Sequence, residues 1–125
     1  MKRILLWLLP VADVFFIRRI QAHYRKLGVP VPDKHMVLGL VERWIGYLPA
    51  GFVVGLIFGF WTSLKILLIA FCISAPPEFY LMARGNPPWR FFKNRPARTI
   101  AKIFLLEGYN AAGYYLLGAA LGSLL

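Results

Sequence analysis

The chain has 125 residues, 59 % of them hydrophobic, with 15 Lys and Arg against 5 Asp and Glu for a net charge of +10. An apolar share so far above the roughly 45–50 % of soluble domains, gathered in long blocks with the charge between them, fits loops held against an anionic leaflet better than a basic soluble domain and leaves room for one domain only. The single cysteine, Cys72, excludes an intrachain disulfide and, set in an apolar run, reads as a small buried hydrophobe.

Met1-Lys2-Arg3 precedes an apolar run that contains Pro10 and Asp13 and stops at Arg18-Arg19. No small-x-small cleavage signal follows, so the segment is expected to be retained. As a helix, residues 4–17 reach about 21 Å, short of the roughly 30 Å hydrocarbon core. They offer no polar face, which favours a short or tilted span over about residues 4–20 rather than a surface-lying helix. A basic linker over about residues 21–35 comes next. Its first part is expected to prolong the helix to a cap at Gly28, after which Val29-Pro30-Val31-Pro32 forces an extended stretch and Asp33 is the expected N-cap of the next helix.

Residues 44–61 hold no ionisable group and begin and end on a tryptophan, Trp44 and Trp61. A helix puts those indoles about 25 Å apart, at the two interfaces of a bilayer, so a span is expected over about residues 40–61 with a kink at Pro49. Gly51, Gly55 and Gly59 recur every fourth residue, giving one face where another backbone can approach closely. Thr62-Ser63-Leu64-Lys65 is the only polar break before the next apolar block, and it predicts a tight hairpin into a second span over about residues 63–83. Residues 64–75 cover only about 18 Å, so Pro76-Pro77 is expected to interrupt that helix inside the membrane, with Glu78 opening whatever resumes.

Residues 84–100 form the most basic loop, with Arg84, Arg90, Lys93, Arg95 and Arg98, and Lys102 just beyond. Prolines 87, 88 and 96 oppose a long helix there. The cations and the interleaved aromatics suit anionic inner-leaflet lipid or an acidic partner better than nucleic acid. The last block is expected to span over about residues 101–124, and its Gly118 and Gly122 make a second close-approach motif, the natural neighbour of the first. Basic residues 18–43 and 84–102 place those loops on the cytoplasmic side, although a spanning N-terminus leaves Lys2 and Arg3 on the unfavoured side.

The expected fold is therefore all-α, a polytopic helical integral membrane protein with three transmembrane helices and a short N-terminal fourth, retained in a prokaryotic cytoplasmic membrane. Glu107 and Asn110 lie three apart and share a helix face. An ionisable group inside a membrane is costly, so Glu107, alone or with Glu78, is a candidate proton or cation site; the plainer alternative is that Glu107 pairs with a nearby basic group such as Arg43 and fixes helix register. His23 and His35 fall outside the apolar blocks, and the spacing shows no Cys/His cluster, phosphate loop or Ser-His-Asp set. No metal, cofactor or catalysis is expected. The leading functional expectation is a non-catalytic membrane subunit or scaffold that packs through its glycine faces against copies of itself or other subunits. A small oligomeric ion or solute channel or transporter using an intramembrane carboxylate comes second, and a lytic pore-former third.

Overall fold

In the computed structural model, which describes residues 13–85, 89–93 and 95–125, every regular element is helical. The N-terminal span expected over about residues 4–20 falls partly outside the described residues. The elements are α1 (Asp13–Lys26), α2 (Asp33–Glu42), a π-helical turn (Arg43–Tyr47), α3 (Leu48–Phe58), α4 (Phe60–Ala83), a 3-10 turn (Arg90–Phe92) and α5 (Ala97–Ser123). With the π turn, α2 and α3 make one rod, Asp33–Phe58. That rod and α4 are long and apolar enough to cross a membrane, yet only 11 % and 6 % of their most apolar stretches are buried by the rest of the chain. Ile57 and Ile73, for instance, point outward at 66 % and 72 % exposure. In water so broad an apolar surface is an aggregation site, whereas against lipid tails it is the solvated face.

The glycines set the helix packing. A Cβ on Gly51 would overlap the Tyr115 carbonyl and one on Gly55 the Ala119 backbone, while Gly118 and Gly122 stand against the carbonyls of Leu48 and Phe52. The matched positions advance together along both helices, so α3 and α5 run parallel with their backbones in contact. Helix α4 returns antiparallel along α5: the Tyr115 hydroxyl donates to the Ser63 carbonyl at 3.1 Å. Further down, Phe71 stacks on Phe104 and Phe79 meets the same ring edge-on. At that lower end lies a core in which Ile20 and Tyr24 of α1, Val29 and Val31 of the linker, and Met36 of α2 pack with Met82, Ile100 and Ile103. Alternation with proline sends both linker valines to the same side. Gln21 locks this end, donating from Nε2 to the Val31 carbonyl at 2.9 Å and also to the Asp33 carboxylate.

Several expectations from the sequence are corrected. Gly59 is not part of the glycine face: it has φ +85°, a Cβ there meets nothing within 4 Å, and it separates α3 from α4. The chain reverses at that one residue because glycine alone adopts such a φ without strain. The polar tetrad expected to make the turn lies inside α4, where the Ser63 amide and hydroxyl both donate to the Gly59 carbonyl, at 3.1 and 2.7 Å. Ahead of Pro49, where the kink is expected, the helix carries a widened turn. The Leu48 amide reaches the carbonyl of Arg43, five residues back, and this loosening just before the proline lets the helix continue past a ring that would otherwise press on the preceding turn. Pro76-Pro77 does not break α4, which is helical from Phe60 to Ala83. Phe71 and Phe79, on either side of the prolines, both pack on Phe104, so tertiary contacts hold the helix across the two missing amide donors. The basic loop is also shorter than expected, since α5 begins at Ala97 and carries Arg98 and Lys102.

Two single residues differ as well. Pro32, in extended conformation, is the N-cap of α2, and Asp33 is the first helical residue, its carboxylate taken by Gln21 and Arg18. Cys72 is exposed rather than buried.

Candidate functional site

A cavity of about 930 Å³ opens between the α2 end of the rod and the lower half of α4, with α5 behind it and Ile20, Tyr24 and Trp89 beneath. Its position follows from the helix pairing. The glycines draw α3 tight against α5, and α4 joins them at the Gly59 corner, so the space lies toward the other ends, where bulkier side chains separate the helices. Each helix contributes acid. Glu42 ends α2, Glu78 follows the two prolines of α4, and Glu107 stands on the first half of α5. These are all the glutamates the chain has, and every one lines this cavity.

The π turn supplies Arg43 to the same space, and α5 adds Asn110 one turn above Glu107. The four residues singled out from the sequence as an intramembrane polar set, Glu107, Asn110, Glu78 and Arg43, therefore share one wall-to-wall site. Glu107 does not take Arg43 as its ion-pair partner. Its Oε1 lies 3.7 Å from His35 Nε2, both side chains being mostly buried, and the His35 ring sits edge-on to Phe91 at 4.8 Å. The reason is local geometry: the Arg43 guanidinium turns back along its own helix, where a Cβ on Gly39 would stand 3.2 Å from Nη1. Asn110 is 3 % exposed and donates from Nδ2 to the Leu106 carbonyl at 3.1 Å, leaving its buried Oδ1 without a hydrogen-bond partner among the described residues. Glu78 has no hydrogen bond or ion pair there either.

The chain matches no family model, no curated protein and no solved structure. Chemistry must therefore be read from the site alone. Three carboxylates face one guanidinium and one imidazole, so the cavity is acidic in a chain that is otherwise strongly basic. Among the described residues no three His, Cys, Asp or Glu side chains stand close enough to share a metal ion. The carboxylates surround the space rather than converging on a point.

Of the other sequence-level candidates, Gly51, Gly55, Gly118 and Gly122 lie at the α3–α5 contact, away from the cavity. The basic residues are spread over the opposite end of the molecule from the Gly59 corner. Arg84 donates to the Tyr80 hydroxyl at 3.0 Å, Arg95 to the Phe91 carbonyl at 3.4 Å, and Lys93 packs under Gly85, whose φ is +70°. Arg98 and Lys102 are exposed on α5, and the side chain of Arg90 is outside the description. Sequence reasoning passed over His35, Glu42, Tyr47 and Tyr109, all of which line the cavity. A signal existed for two of them: His35, Gly39 and Glu42 follow one another at spacings of four and three, which puts them on one helix face.

Proposed function

We propose that this chain is a small integral membrane transporter or channel for a cation. Helix α5 serves as a third span beside the two apolar helices, and the segment over about residues 4–20 adds a shorter fourth. The observation that carries this reading is the meeting of Glu42, Glu78 and Glu107, from three different helices, on one cavity. Carboxylates at membrane depth are costly unless they are paired or used, and a single register-fixing ion pair needs only one of them. The cation enters among the carboxylates, exchanging its hydration for their charge, with Asn110 adding a neutral acceptor. The basic residues Arg84, Lys93, Arg95, Arg98 and Lys102 anchor the cytoplasmic end to anionic lipid.

A scaffold built on glycine faces draws less support. Gly51 and Gly55 are spent against α5 of the same chain, and Gly118 and Gly122 against α3, so neither face is left for a partner. Flux across proteoliposomes under imposed proton, sodium and potassium gradients tests the proposal. We expect protein-dependent flux that falls by about tenfold or more in Glu107→Gln; equal leak with protein, variant and empty liposomes under every gradient overturns it.

A further inference from the structure

We infer that the acid-lined cavity is a receptor for a protonated organic amine, with an apolar body against Phe71, Trp89 and Phe104 and N–H groups taken by Glu78, Glu107 and Asn110. The inference rests on the cation reading above and narrows it to one chemical class. Size is the first reason: about 930 Å³ is near the top of the roughly 300–1,000 Å³ range of small-molecule sites and far beyond what a bare ion fills. The second is the spread of the acids. Hard metal ions need six or more oxygens gathered at about 2.0–2.6 Å, whereas no three candidate ligands among the described residues meet at one point.

The third reason is the polarity of what is left unmet. The buried Asn110 Oδ1 lacks a donor, and Glu78 has no partner among the described residues, so the site asks for N–H or O–H groups. An alcohol supplies donors but no charge to offset the carboxylates, and an inorganic cation supplies charge but no donors. An ammonium group supplies both. Most of the rest of the wall is aliphatic and aromatic, Phe71, Trp89 and Phe104 included, which suits a hydrocarbon body. A phospholipid headgroup fits less well, because its phosphate would meet three carboxylates and a single guanidinium. The favoured ligand is therefore a free amine.

The experiment uses the full chain in nanodiscs of phosphatidylcholine and phosphatidylglycerol. Labelled phenethylammonium is the probe, uncharged 2-phenylethanol its shape-matched control, and empty nanodiscs correct for partitioning. We expect saturable binding of the ammonium, none of the alcohol, and no displacement by excess sodium or calcium. Glu107→Gln and Glu78→Gln are each expected to weaken binding about tenfold or more. Glu78→Gln keeps the test decisive if loss of the His35 pair unfolds Glu107→Gln, since Glu78 holds no other group in place; helicity and elution volume report the fold. Equal retention of ammonium and alcohol, or full-strength binding by a folded Glu78→Gln, overturns the inference. So does an ammonium that binds only empty discs while phosphatidylethanolamine co-purifies with the protein. Should phenethylammonium fail to bind while Glu107-dependent sodium, potassium or proton flux persists, only this narrower claim falls and the transport reading stands. Glu78-dependent binding with no flux of protons, sodium, potassium or phenethylammonium overturns the transport reading and leaves the binding claim standing.

Discussion

A methyl group has nowhere to go at Gly51, where the Tyr115 carbonyl occupies the position a Cβ would take, or at Gly118, where the Leu48 carbonyl does. Both obstacles are backbone, so neither can swing aside as a side chain would. Gly51→Ala and Gly118→Ala should each cost about 1–3 kcal/mol, the usual penalty for overpacking a close contact. Gly46→Ala, with nothing within 4 Å of its Cβ, should be neutral or stabilise by roughly 0.5–1 kcal/mol through reduced chain entropy. Denaturant titration of the three variants in one detergent makes the comparison. At this scale the spacing of small residues marked the right positions on α3 and α5 but misread Gly59, because a glycine that packs and a glycine that turns look alike in sequence. The difference lies in φ, which is +85° only at the corner.

Proline shows the same ambiguity at the scale of the element. Pro49 and Pro76-Pro77 are chemically alike in removing an amide donor, yet the helix carries a widened turn ahead of the first and stays α-helical across the second. The widened turn has a consequence for the site. Each residue of an α-helix advances about 100°, so one extra residue in the Arg43–Tyr47 turn re-aims everything before it by about that angle relative to α3. Glu42 and Arg43 face the cavity in that re-aimed register. Pro49→Ala removes the cause, and a regular helix should carry Glu42 off the cavity wall. Weaker phenethylammonium binding together with a higher melting midpoint is the expected pair of results, whereas a substitution that merely destabilised the helix would lower both.

Across the whole molecule, the rod and α4 are long and apolar enough to cross a membrane, and the proposed topology puts Lys65 outside and Arg95 inside. Cys72, exposed on α4, is a built-in probe. In sealed vesicles it should resist a charged maleimide and react only after denaturing extraction. A cysteine replacing Lys65 in a Cys72→Ser background should label from outside, and one replacing Arg95 only after permeabilisation; labelling of Arg95→Cys without permeabilisation would reverse the topology. By itself the sequence determined the helical class, the long apolar stretches and the small-residue faces, because hydropathy and residue spacing are local properties carried by each segment alone. Only the tertiary structure decided that the two glycine faces close on each other within one chain, that His35 rather than Arg43 pairs with Glu107, and that Glu42, Glu78 and Glu107 share a cavity. Those three glutamates are separated by 36 and 29 positions, and no periodicity reaches that far. What brings them together is the tight α3–α5 packing at one end of the helices, which fixes where the other ends stand apart.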